Sequence, residues 1–130
     1  MSISYIMSKI PPELRYTKSH EWTRSEGGFT TVGITDFAQN QLTDIVFIDL
    51  PKKGTKLKAG SVLLTIESVK SAEDVYSPLD GEVVDVNAEL ENKPELVNKD
   101  SYSNWMVKMK KTGNDGPTMS ADEYRKFIGE

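Results

Sequence analysis

Apolar and polar positions alternate in short runs along most of the chain. The runs are TTVGIT (30–35), DIVFIDL (44–50), SVLLTIES (61–68), DVYS (74–77), GEVVDVN (81–87) and SNWMVKMK (103–110). Each is rich in β-branched or aromatic residues and bounded by Gly, Pro, Asn or Asp, the punctuation of half-buried antiparallel strands. Helical periodicity is confined to three places. Asp36 followed by Gln39 predicts a capped short helix over DFAQNQL, with Ala38 and Leu42 on one face. Pro94 suits the first position of a helical turn in KPELVN. Ser120 and Glu123 form a capping box, after which Tyr124, Phe127 and Ile128 fall at helical spacing, predicting a C-terminal helix near 120–128 that packs on the sheet.

The segments GTKLKAGSVLLTIES and DGEVVDVNAELENKPELVN each run from a glycine turn into alternating aliphatics, like half-copies of one another. Two such halves folded face to face predict a mainly β flattened barrel, a barrel-sandwich hybrid with short peripheral helices, its central connection exposed at one end. Lys70 lies in that connection. In SVLLTIES the alternation puts Val62, Leu64 and Ile66 on the inner face, and the pattern breaks over Ser68, Val69, Lys70 and Ser71. Lys70 is therefore expected to stand clear of the core at the apex of a stiff hairpin, the presentation a modifying enzyme needs.

Composition narrows what the lysine can be for. A chain of 130 residues with 37% hydrophobic content supports one core and one domain. Residues 14–130 are read as that domain and 1–13 as an N-terminal extension, with Met7 an alternative start. The formal net charge of −4 offers no basic field for nucleic acid or anionic membrane. Without cysteine there are no disulfides, thiolate metal sites or thiol nucleophiles. Apolar runs such as IVFIDL stop far short of the ~20 residues that span a bilayer. The start MSISYIMSK carries neither a signal-peptide nor a transit-peptide pattern, which favours a bacterial cytoplasmic protein over a processed form from the mitochondrial matrix. One histidine, no G-x-S-x-G, no H-E-x-x-H and no P-loop leave no nucleophile paired with a base, so an independent enzyme lacks its parts.

The segment ESVKSA, followed by acidic residues, SP and GEV, resembles the lipoylation site of the glycine cleavage system H-protein family. YTKSHEW (16–22), TVGITDFAQNQLTDIVFIDLP (31–51), ESVKSAEDVYSPLDGEVVDVN (67–87) and ENKPELVNKDSY with WMVKMK resemble further blocks of that family, in its order and spacing. Two departures are Ser71, where alanine is common, and the loop SYSN, which lacks the usual glycine. The resemblance implies a lipoyl/biotinyl-like fold and a non-catalytic, monomeric carrier with lipoate in amide linkage to Lys70. It implies partners as well: a pyridoxal-phosphate glycine decarboxylase that loads an aminomethyl group, an aminomethyltransferase that passes the one-carbon unit to tetrahydrofolate, and a flavin-dependent dihydrolipoyl dehydrogenase. A lipoate-attaching enzyme would recognise Glu67, Ser68 and Val69.

Lysine stem and lipoyl chain together, about eleven bonds at ~1.25 Å each, would range on the order of 14 Å. The resemblance further implies that Ser19, His20, Glu21 and Asp74 line a cleft for the docked arm, where a carboxylate could hold a cationic amine. Three rival readings are weaker. MVKM around Lys108 is similar to a biotinylation motif but lies inside an alternating run, ahead of an expected turn region at 112–117. DVNAELEN lacks the glycine and glutamate of a calcium loop. A carrier or lipoate relay for 2-oxoacid dehydrogenases would usually show DKA at the tip and lack YTKSHEW.

Overall fold

The computed structural model describes residues 7–130, so the alternative start at Met7 concerns a segment outside the described residues. Among the described residues nine strands and four short helices follow in the order β1 (Arg15–Tyr16), β2 (Glu21–Glu26), β3 (Phe29–Ile34), α1 (Asp36–Leu42), β4 (Ile45–Asp49), β5 (Lys56–Leu57), β6 (Val62–Ser68), β7 (Ala72–Tyr76), β8 (Leu79–Val86), α2 (Glu89–Asn92), α3 (Leu96–Lys99), β9 (Val107–Asp115) and α4 (Ala121–Phe127). They form two antiparallel sheets, one ordered β1-β2-β3-β9-β8-β5 and the other β4-β6-β7.

The mainly β expectation holds, but the sheets do not close into a barrel. β7 pairs with β6 and not with β8, because the chain crosses from one sheet to the other at Ser77 and Pro78. Proline has no N–H to extend a ladder through that corner. The half-copies do face each other, with β6 in one sheet and β8 in the other. Between them lies one core that includes Ile48, Ile66 and Val75 from the small sheet and Val32, Val83 and Met109 from the large one.

Two strand-level expectations need correction. Val62 is exposed while Leu63 and Leu64 are both buried, because the β6–β7 register shifts between Val62 and Leu64. A bulge turns consecutive side chains to the same side, which strict alternation does not allow. Likewise β9 continues through Asp115, where a turn was expected, by pairing with β8 as far as Leu79.

The β2–β3 hairpin turns at Gly27 and Gly28, whose φ values of 56° and 83° suit a two-residue turn that matches the strand twist. On the same ladder Trp22 faces Gly33, where an added Cβ would lie 2.6 Å from the indole. Glycine there lets the ring lie flat on the sheet, and its Nε1 donates to Ser101 O (3.1 Å).

Trp22 belongs to a second core with Ile10, Leu14, Tyr16, Ala121 and Tyr124. Part of the segment ahead of Leu14 thus packs onto the domain. Ser8 donates from N and Oγ to Glu130 (2.6 and 2.8 Å), and Lys9 N donates to Asp36 (2.9 Å). The N-cap of α1 is Thr35 rather than Asp36, since Thr35 Oγ1 accepts from Ala38 N (3.1 Å) and Asp36 is occupied by Lys9. The Ser120–Glu123 capping box forms as expected, and Tyr124 of α4 stacks on Tyr16 at 4.8 Å between centroids. Among the described residues no helix is long and apolar enough to cross a membrane.

Candidate functional site

β6 and β7 pair from Val62↔Tyr76 to Glu67↔Ala72, leaving Ser68 to Ser71 as the turn. The turn is held by one side chain. Ser68 Oγ accepts from Lys70 N (3.2 Å) and Ser71 N (3.0 Å) and donates to Ser71 O (3.1 Å), while Ser68 N also donates to Ser71 O (2.8 Å). A serine hydroxyl that closes a turn on the backbone amides stiffens it without help from the other side chains. Val69 N donates to Asp44 O (3.0 Å), tying the tip to the approach of β4. Lys70 is exposed, and among the described residues its amine enters no ion pair.

Beside the tip opens a cleft of about 530 Å³, within the ~300–1,000 Å³ range of small-molecule sites. Lys70 and Ser71 border it from the hairpin, Ser19 and His20 from the turn just ahead of β2, and Phe37 and Leu42 from α1. Ile34, Ile66 and Val75 add apolar lining, so the cleft combines an apolar bed with a polar rim. Four residues expected together from the sequence, Ser19, His20, Lys70 and Asp74, do border this one space.

Asp74 is partly committed, its Oδ1 accepting from Thr65 Oγ1 (3.1 Å). A second acid escaped the sequence reading. Glu73 also borders the cleft and pairs across the ladder with Ile66, a neighbour that only the hairpin register reveals.

Glu21 is placed differently from its expectation. Its side chain is not on this cleft but is 1% exposed beneath a smaller depression of about 400 Å³ that shares Ser19. Its Oε1 accepts from Thr17 Oγ1 (2.5 Å) and Ser19 Oγ (2.6 Å), and its Oε2 accepts from Tyr76 N (3.1 Å). The buried charge is compensated by these three donors. It fastens the end of β7 to the start of β2, so it holds the cleft wall rather than facing its contents.

His20 adopts φ 73°, in the left-handed region, and its Nδ1 lies 2.8 Å from Tyr124 Oη, which also meets Thr35 Oγ1 at 2.8 Å. The ring is set among Phe37, Tyr124 and Phe127. Desolvation there holds its pKa below the ordinary histidine value.

With the folded pKa depressed, stability is fully present above the unfolded value of about 6.5. It declines as pH falls below that value, because the unfolded chain takes up a proton that folded His20 resists. Urea melts at about pH 7.5 and 5.5 are expected to differ less in His20→Asn than in the parent, asparagine being tolerant of the left-handed backbone. Asp80, Asp100 and Glu123, whose pKa values backbone hydrogen bonds lower, act in the same direction but only below the ordinary carboxylate range.

The sequence model described as glycine cleavage H-protein matches residues 14–130. The chain belongs to this family. Among curated H-protein relatives, a probable glycine cleavage system H protein of Picrophilus torridus is 58% identical over 124 residues, covering 95% of this chain and all of the relative. A glycine cleavage system H protein of Leptospira biflexa is 51% identical over 117 residues, covering 88% of this chain and 90% of the relative. The crystal structure of a glycine cleavage system H protein from Mycobacterium marinum superposes with a TM-score of 0.88 at 32% identity, over 93% of this chain and all of that one. H proteins are carrier subunits of the glycine cleavage system without catalytic activity, and this chain has that role. The family carries lipoate. The residues here suit that group, since the free amine at the tip adjoins a cleft whose apolar bed would accept an aliphatic chain and whose rim is polar.

Proposed function

We propose that Lys70 is the attachment point of lipoate in this carrier, and that the cleft beside it shelters the arm between visits to partner enzymes. The observation that carries this reading is an exposed lysine on a turn fixed by Ser68, bordering an apolar cleft. A lysine amine is largely protonated near neutrality and a poor nucleophile, so the acyl donor must arrive activated. An amide bond then forms between Nζ and the acyl carbon, the bond to the activating group breaks, and the amine loses a proton. When bound, the group supplies a dithiolane able to take an aminomethyl unit on one sulfur and to be reoxidised from the dithiol.

The chain's own residues position and shelter. Ile34, Phe37, Leu42, Ile66 and Val75 exclude water, while Ser19 and Glu73 offer acceptors to a cationic amine at the rim; Asp74, paired with Thr65, turns its carboxylate to the other face of the hairpin. His20 gives the cleft an aromatic wall. Glu67 and Val69 are the side chains beside Lys70 that an attaching enzyme would read, whereas Ser68 serves it by fixing the turn. The proposed partners are the pyridoxal-phosphate glycine decarboxylase, the aminomethyltransferase, the dihydrolipoyl dehydrogenase and the lipoate-attaching enzyme, and the proposed place of action is the cytoplasm. The family match does not favour service to 2-oxoacid dehydrogenases.

Glycine decarboxylation by the pyridoxal-phosphate partner is expected to depend on the lipoylated chain. Equal turnover with the unmodified chain would defeat the reading.

A further inference from the structure

The face of the small sheet turned away from the core has a definite composition. β4 carries a bulge between Ile45 and Phe47, so Val46 and Phe47 both reach solvent and are 53% and 44% exposed. Phe47 pairs with Glu67, Asp49 with Thr65, and Thr65 in turn with Asp74. Cross-strand partners share a face, so Phe47 sits among the exposed carboxylates of Asp49, Glu67 and Asp74. No lysine or arginine belongs to these pairs. The patch reaches the tip itself, because Val69, 68% exposed, is bonded through its N–H to Asp44 at the approach to β4.

We propose that this outer face, centred on Val46 and Phe47 and running to Val69, is the surface on which the lipoate-attaching enzyme docks, through an apolar seat with a basic rim. The proposal rests on Lys70 as the attachment point. Reach selects this occupant. Enzymes that act on the finished arm work on the order of 14 Å from the Lys70 backbone and need not cover the tip. The attaching enzyme finds only the lysine stem, about five bonds or roughly 6 Å long, so its active site must close over the hairpin and the surface contiguous with it. Charge selects its character, since three carboxylates around an apolar centre complement a basic rim and repel a second copy of this chain.

The test is steady-state lipoylation by an ATP-dependent lipoate ligase supplied with lipoate and ATP, with the carrier concentration varied. The double variant Val46→Ser, Phe47→Ser is expected to lose about tenfold or more in kcat/KM, through KM, with kcat held within about twofold. Thr65→Lys, which sets a cation amid the carboxylates, should act in the same direction. Val62→Ser, an exposed apolar residue at the opposite end of β6, should change nothing. Thermal melts accompany each variant. Modification that persists in Lys70→Arg would remove the attachment reading beneath the proposal. Loss in Lys70→Arg, together with parental kcat/KM in both surface variants, would overturn the docking surface alone. So would normal lipoylation combined with impaired aminomethyl transfer, which would give the face to the aminomethyltransferase.

Discussion

Lys70→Arg is expected to abolish lipoylation outright while leaving the fold untouched. Incubated with lipoate ligase, lipoate and ATP, the parent should gain one lipoyl mass increment and the variant none. A guanidinium stays protonated under all such conditions and offers no nucleophilic lone pair. The fold should not respond, because the turn is closed by Ser68 Oγ and backbone groups rather than by the lysine side chain. Other lysines, Lys108 of the MVKM run among them, give the experiment its contrast. Residual modification in Lys70→Arg would move the attachment point elsewhere.

The second large effect is expected at Glu21. Replacing it with alanine deletes a buried carboxylate and strands the hydroxyls of Thr17 and Ser19 and the amide of Tyr76. Thr17 Oγ1 still accepts from Glu21 N (3.0 Å), but its hydroxyl proton loses the carboxylate acceptor, and Tyr76 N has no other acceptor among its described contacts. The cost should be about 2–4 kcal/mol, the range for breaking a buried charged hydrogen-bond cluster. In a domain of this size that is roughly 10 °C in Tm.

Glu21→Gln should cost less, because its remaining oxygen still accepts from the two hydroxyls while its amide nitrogen cannot accept from Tyr76. Hydrogen exchange at the Tyr76 amide is the specific readout and should accelerate in both variants. A Glu21→Ala protein as stable as the parent, with a protected Tyr76 amide, would refute the fastening role.

The hairpin and its lysine were legible in the sequence because strand alternation and its interruption are local properties. Ser68 through Ser71 break the pattern wherever β6 finds its partner. The bulges were not legible, since a register shift is a relation between two strands. Leu63 and Leu64 read as opposite faces until β7 is laid beside them.

β2 went unnoticed for a related reason. Arg24, Ser25 and Glu26 carry no apolar alternation, and the strand is held by its ladder to β3 and by Trp22 against Gly33. Glu21 was expected in the cleft because the resemblance grouped it with its neighbours Ser19 and His20, and nothing local to the sequence shows that its side chain turns inward instead. Its burial depends on a peptide amide 55 positions away in the chain. The membership of Glu73 in the cleft is the same kind of fact, fixed by its pairing with Ile66.

The Ser68 clasp carries one last implication. Since the Lys70 side chain takes no part in closing the turn, acylation erases a cation, moving the formal charge from −4 to −5, without cutting a scaffold bond. Empty and laden forms then share one architecture, and an enzyme that must tell them apart has only the pendant cargo to inspect.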